Sequence, residues 1–165
     1  MEQLIRRAKA GDGAAFVELI EGQKGTLYKV ARSYLHNDAD AADAISETVP
    51  VCFEKLPSLR QGQYFRTWLV RILIRKCQDM LRERKHSVPL DEIIQVGRDD
   101  PGHARVEFLA LLDSLDEKYR TVLLLYYGEG FTVREIAQAM ELKEEAVKTR
   151  LRRARGSLKQ AYEAE

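Results

Sequence analysis

Apolar side chains recur at intervals of three and four residues along almost the whole 165-residue chain, and this one feature narrows the possible folds more than any other. Strand-like alternation bounded by turn residues is hard to find, so an all-α protein is expected. The periodicity predicts helices over about 2–10, 13–35, 39–56, 63–85, 104–114, 117–127, 132–140 and 144–162. One stretch interrupts it. HSVPLDEIIQVGRDDPGHA, residues 86–104, has two prolines, two glycines and no sustained period, and reads as a flexible linker. It divides the chain into an N-terminal helical domain, 1–85, and a smaller C-terminal one, 105–165. Nineteen residues span at most roughly 60 Å when extended, which lets the two halves grip separate sites.

Several classes of function are excluded early. A run of about 18 apolar residues, the signature of a membrane span, is absent from the sequence. The opening MEQLIRRAKAGDGAAF lacks the apolar core and cleavage site of a secretory signal, so a cytoplasmic location is the default expectation. Cys52 and Cys77 lie far apart among apolar neighbours, and His36, His86 and His103 are scattered. Packed, reduced thiols are expected rather than a disulfide framework or a metal site, and no cofactor is implied. Acidic pairs are plentiful, but no nucleophile–base set or glycine-rich phosphate loop accompanies them, so the chain does not read as an enzyme.

Charge supplies the positive clue. The formal net charge is only +1, yet its distribution is segregated. From Arg60 to Lys85, eight Lys and Arg (60, 66, 71, 75, 76, 82, 84, 85) face only Asp79 and Glu83. From His86 to Tyr119 the balance reverses, with Asp91, Glu92, Asp99, Asp100, Glu107, Asp113, Asp116 and Glu117 against Arg98, Arg105 and Lys118. Blocks of opposite sign suit partners of more than one kind.

The densest basic block, AVKTRLRRAR at 146–155, is amphipathic on a helical wheel. Val147, Leu151, Ala154 and Leu158 share one narrow sector; Lys148, Thr149, Arg152 and Arg153 occupy the opposite arc, flanked by Arg150 and Arg155. Upstream, Thr132 and Glu135 form a capping-box pattern that starts a short helix, TVREIAQAM, with Val133, Ile136, Ala137 and Met140 on one side. A turn at about 141–143 leads into the basic helix. Two helices joined by so short a turn, the second exposing cations, make a helix-turn-helix, whose second helix enters the major groove. The plainer alternative is a solvated basic face on a packing helix.

The run LDSLDEKYRTVLLLYYGEGFTVREIAQAMELKEEAVKTRLRRARGSL resembles region 4 of bacterial sigma-70 family RNA polymerase sigma factors, in particular the extracytoplasmic-function (ECF) group. The resemblance is carried by Leu115, Arg120, Leu124, Glu135, Ile136, Ala137, Val147, Lys148, Arg150, Leu151, Arg153, Ala154, Arg155 and Leu158. Two positions depart from the family pattern: Glu141 stands where a turn glycine is common, and Lys143 replaces a better capping residue.

A second basic stripe lies in the N-terminal half. In FRTWLVRILIRKCQDMLRERK, the residues Trp68, Leu69, Ile72, Leu73, Cys77, Met80 and Leu81 define a buried face, while Arg71, Arg75, Gln78, Arg82 and Lys85 follow four-three-four-three spacing on another. Such a stripe suits phosphate contacts that carry affinity rather than sequence readout. In the preceding loop, PSLRQGQYF, Arg60, Gln61, Gln63 and Tyr64 surround Gly62, and an aromatic ring with amides beside cations suits an unstacked base. DADAADAISETVPVCFEKL followed by YFRTWLVRILIRKCQDMLR is similar to region 2 of the same family. The fold so implied is two small helical domains, one a region 2-like bundle and the other a region 4-like helix-turn-helix, joined by the linker.

The resemblance also implies roles. The C-terminal helix would read the −35 element through Lys148, Thr149, Arg152 and Arg153, with Arg134 and Arg150 on the backbone. The loop residues Arg60, Gln61, Gln63 and Tyr64 would capture an extruded base of the −10 element, and Arg71, Arg75 and Arg82 would hold the duplex upstream. Asp40, Asp43, Ser46 and Glu47 form one side of the helix beginning near Asp38, opposite Ile45, Val49, Cys52, Phe53 and Leu56. A carboxylate row faces water or a basic protein surface; in the family, this helix binds the β′ clamp helices of core RNA polymerase, although Ser46 replaces the usual glutamine. The β flap, promoter DNA and an anti-sigma factor are the further partners implied. The acidic linker would run through the polymerase interior or serve as a solvated tether. Pro50 removes the bond to the Ser46 carbonyl and is expected to kink the acidic helix. Rival readings of the residues are a dimeric helix-turn-helix repressor or activator and a helical adaptor that binds proteins only.

Overall fold

A computed structural model describes residues 1–87, 110 and 112–163, and among them no strand occurs. Seven helices carry the described chain: α1 (Glu2–Lys9), α2 (Gly13–Leu35), α3 (Asp38–Lys55), α4 (Phe65–Ser87), α5 (Glu117–Leu123), α6 (Val133–Met140) and α7 (Glu144–Glu163). His86 and Ser87 continue α4, while the rest of the expected linker and most of the helix predicted over 104–114 fall outside the described residues. No described helix is long and apolar enough to cross a membrane.

The N-terminal helices start where local chemistry directs them. The Asp12 carboxylate accepts from the backbone N–H groups of Ala14 (3.0 Å) and Ala15 (3.2 Å), capping α2. Arg7 binds the same carboxyl at 2.7 Å and holds it below the usual carboxylate range. Asn37 caps α3 by accepting from the Asp40 N–H at 2.8 Å. Pro50 lies inside α3 without ending it, since the helix continues to Lys55. The Ser46 carbonyl that it leaves unpaired belongs to an exposed residue, where water can take its place.

Helix α2 is the hub, packing against α1, α3, α4 and α5. Its Leu27, Val30, Ala31 and Leu35 are at most 1% exposed. On α3, Ala41, Ala44, Thr48 and Cys52 follow the i, i+3, i+4 spacing of one buried stripe. On α4 the expected face is buried, with Leu69, Leu73 and Cys77 fully enclosed and Trp68, Ile72, Met80 and Leu81 partly so. Two further residues, Val70 and Ile74, are each 1% exposed. The reason is that α4 is sandwiched, with α2 and α3 on one side and α6 of the C-terminal half on the other. Both cysteines are buried and unpaired, and burial pushes each thiol up to about 12, which suits inert packing.

In the C-terminal half, the helix predicted over 117–127 is regular only to Leu123, and Leu124–Gly128 forms a wider π turn. Glu129 N–H then donates to the Leu124 carbonyl (3.0 Å) and Phe131 N–H to the Leu125 carbonyl (2.8 Å), with Gly130 at φ 72° between them. Gly130 suits this left-handed position because it has no Cβ to clash. The turn swings Phe131 into the core at 2% exposure and leaves Tyr126 and Tyr127 outside.

Both halves contribute to one continuous apolar core. Polar groups cross the seam as well. Ser33 Oγ and Thr121 Oγ1, both buried, are 3.1 Å apart, and the Arg120 guanidinium donates to the His36 ring at 2.7 Å. His36 ends α2 in the left-handed region at φ 65°. Burial, then the neighbouring Arg120 and Arg32 cations, hold its pKa below the ordinary 6.5, with Asp113 opposing them. The unfolded chain therefore takes up this proton first as pH falls, so the stability present above about pH 6.5 is lost below it. We expect the melting temperature of the native chain to fall more steeply between about pH 7.5 and 5.5 than that of His36→Asn, which tolerates the same backbone. Parallel melting curves would remove His36 from this role.

Candidate nucleic-acid interface

The helix-turn-helix forms as its sequence directs. Thr132 Oγ1 accepts from the Glu135 N–H (3.1 Å) and Glu135 Oε1 from the Thr132 N–H (3.0 Å), a complete capping box. Helix α6 ends at Glu141, whose φ of 57° makes the sharp left-handed turn before α7. Val147, Leu151 and Ala154 are at most 3% exposed, and Leu158 packs partly against the core. Lys148, Arg152 and Arg153 are exposed on the other side, with Thr149 partly covered. Arg134 is exposed on α6. Beside α6 and the start of α7, a shallow depression is lined by Arg134, Ala137, Gln138, Leu142 and Glu144. Arg150 stands apart from this group, facing a groove lined also by Tyr34, Gln78 and Glu117. Arg155 donates to the Tyr127 hydroxyl at 2.9 Å and so braces α7 against the π turn.

The loop ahead of α4 is held from beneath. Lys9 of α1 donates to the Leu59 carbonyl, and Gly62 packs so closely on Ile5 that a Cβ would meet Ile5 Cδ1 at 3.3 Å. This seat leaves Arg60, Gln61 and Gln63 exposed, with Tyr64 at 42%. Gln63 donates to the Gln61 side-chain oxygen at 2.8 Å, which orders the two amides. An exposed ring between an arginine and two amides can stack on a base and bond its edge.

The α4 stripe is not uniformly open. Arg71 Nε donates to Glu141 Oε1 at 3.0 Å and Arg75 pairs with the same oxygen. The two guanidiniums hold that carboxyl below the usual range. Arg82 pairs with Asp79 one turn away, and Gln78 and Lys85 are exposed. Arg66, which the stripe omitted, lies over the Phe131 ring at 4.5 Å and reaches Glu129 at 3.2 Å.

The acidic side of α3 splits into two kinds of residue. Asp43 and Ser46 face solvent. Asp40 is engaged by Arg84 and Asn37, and Glu47 by Lys76 at 2.8 Å, so both tie α3 to α4. Pairing with Glu47 raises the Lys76 pKa. Asp40, with 20% of its side chain exposed, is chiefly an internal ion-pair partner, whereas Glu47 keeps 58% and remains reachable. Phe53, 40% exposed, packs its ring against Phe16 at 4.9 Å and adds an apolar element near the end of this helix. No group of residues able to hold a metal ion is found among the described residues.

Comparison with known proteins covers the same two segments. The Sigma-70 region 2 model matches residues 19–87 and the Sigma-70, region 4 model matches residues 105–158. The chain is 30% identical to RNA polymerase sigma factor SigV of Bacillus subtilis, over 86% of this chain and 87% of that protein. It is 28% identical to the ECF RNA polymerase sigma factor SigW of the same organism, over 96% and 95%. Among solved structures, CnrH in complex with the cytosolic domain of CnrY matches 98% of this chain and 96% of its own, with TM-score 0.74 and 27% identity. The sigma factor RpoE of Bartonella quintana, in complex with the anti-sigma factor NepR, shares the fold at TM-score 0.76 and 20% identity, over 91% and 98%.

Proposed function

Because this chain belongs to the ECF group of the sigma-70 family and directs promoter-specific transcription initiation as a subunit of RNA polymerase, we propose how its surfaces divide that task. Helix α7 reads the −35 element with Lys148, Thr149, Arg152 and Arg153, and Arg134 and Arg150 contact the backbone. Arg60, Gln61, Gln63 and Tyr64 hold an unstacked −10 base, while Arg71, Arg75 and Arg82 grip the adjoining duplex. Asp43, Ser46 and Glu47 dock on a basic surface of the core enzyme, with Asp40 steadying their helix from within. Residues 1–85 and 105–165 act as the two working units, with 86–104 between them.

The observation that carries this reading is the segregation of α7. Three exposed cations lie opposite three fully packed apolar residues, on a helix aimed by a capped partner and a tight turn. Cations dominate this side of the helix, with Lys148, Arg152 and Arg153 set against one exposed carboxylate, Glu145, which pairs with Lys148 at 3.4 Å in the first turn. Strand opening needs no catalytic residue, because trapping unpaired bases offsets the stacking that is lost. The modest net charge suits a subunit that binds free DNA weakly and engages promoters when attached to polymerase. The subunit works without chemistry of its own, in the cytoplasm. Related folds held by protein partners, one of them an anti-sigma factor, support a similar partner here.

Run-off transcription with core polymerase and a promoter library tests the assignment. Transcripts should start downstream of a shared pair of spaced elements. A dimeric repressor would instead footprint palindromic DNA without polymerase, and that outcome would overturn the proposal.

A further inference from the structure

Resting on the reading of α4 as a duplex-gripping helix, we propose that Glu129 and Glu141 form a latch that holds the C-terminal half against α4 and occupies Arg71 and Arg75 in place of DNA phosphate. Thr67, Arg71 and Arg75 stand at i, i+4 and i+8, one row along α4. All three meet the helix-turn-helix. Thr67 Oγ1 donates to Glu135 Oε2 at 3.3 Å, and both arginines converge on Glu141 Oε1. One carboxylate held by two guanidiniums occupies the position that a phosphate would take in a bound duplex.

A second carboxylate anchors the arrangement. Glu129 is 8% exposed and receives Lys29 at 3.1 Å, Arg66 at 3.2 Å and the Thr26 hydroxyl at 2.8 Å, all from the N-terminal half. A buried carboxylate met by two cations and a hydroxyl fixes the register of the seam, because any slip leaves charge unpaired. Glu141 differs in kind. Its side chain is 44% exposed, so water, salt and phosphate reach it. Its backbone sits at φ 57°, a conformation that disfavours a side chain, and the glutamate there pairs with Arg71 and Arg75. Glu129 is the anchor and Glu141 the releasable catch.

The closure is selective. It takes Arg71 and Arg75 into ion pairs, with 46% and 53% of their side chains still exposed, and turns Gln78 and Arg150 toward one groove between the halves. It leaves Lys148, Arg152, Arg153, Arg60 and Tyr64 exposed. Helix α7 can therefore meet its DNA in the closed form, and Arg71 and Arg75 are released afterwards, when phosphate displaces the catch.

The test uses the full chain without polymerase and a short duplex of unrelated sequence. Glu141→Gln and Glu129→Gln/Glu141→Gln are expected to bind it at least about 5-fold more tightly than the native chain, with the slope of log K against log salt steepened by up to about two, as two added phosphate contacts require. Glu21→Gln removes the same charge from an exposed site on α2, away from both basic helices' assigned contacts, and should change affinity less than about 2-fold. In an Arg71→Ala/Arg75→Ala background, Glu141→Gln should have no further effect. Energy transfer between dyes on Glu18→Cys and Lys159→Cys, both exposed positions, reads the separation of the halves, since Cys52 and Cys77 are buried. Lower transfer in the latch variants is the expected result. Unchanged transfer, or an equal gain in affinity for Glu21→Gln, overturns the latch. Lower transfer with no gain in affinity supports the closure and overturns instead the assignment of α4 to duplex DNA.

Discussion

Replacing Arg152 and Arg153 together with alanine is expected to abolish transcription from a cognate promoter while leaving association with core polymerase intact. Both side chains are exposed on α7, opposite Val147, Leu151 and Ala154, so removing them leaves the core undisturbed. Circular dichroism should be indistinguishable from the native chain. A contact between arginine and a base edge is worth about 1–3 kcal/mol of discrimination. Two such losses amount to about 2–6 kcal/mol, or roughly 30-fold to more than 10³-fold in promoter occupancy. In the proposed division of surfaces, core binding draws on α3, in the other half of the chain. Loss of core binding in the double variant would contradict this division of labour.

Reversing charge on the acidic helix is expected to do the opposite. Asp43→Arg with Glu47→Arg places two cations where two exposed carboxylates stand. Against a basic docking surface, like charges cost several kcal/mol, so affinity for core polymerase should fall at least about 100-fold. Binding of isolated −35 duplex should be unchanged. Glu47 also pairs with Lys76, but that pair is exposed and its loss should cost the fold no more than about 1 kcal/mol. Glu47→Gln separates the two effects, since it removes the pair without reversing the charge. An unchanged affinity in the double reversal would argue against the acidic-face assignment. Asp40→Ala should behave differently again, loosening α3 from α4 at Arg84.

Much of the helix-turn-helix was legible in advance because its signals are local. A capping box needs only residues three apart, and Thr132 and Glu135 satisfy it. Amphipathicity needs only the wheel, and Val147, Leu151 and Ala154 are buried as it required. The helix through Pro50 was less legible, because whether a proline ends or merely marks a helix depends on what solvates the freed carbonyl. The end of α5 was also missed. A π turn at Leu124–Gly128 leaves no mark on a 3.6-residue periodicity, and only the inward swing of Glu129 and Phe131 reveals it.

What the sequence determined by itself was the all-helical class, the helix ends set by caps and the polarity of each face, because these follow from interactions within a few residues. What only the tertiary structure decided was which polar groups meet. Val70 and Ile74 sit among arginines in the sequence, and their burial follows from α6 lying on α4. Nor does the spacing of Glu129 and Glu141 announce partners about 60 to 100 residues away at Arg66, Lys29, Arg71 and Arg75. Periodicity tells which way a side chain faces on its own helix. It does not tell what stands opposite, because that depends on how separate apolar faces dock, and that docking is settled only when the whole core assembles.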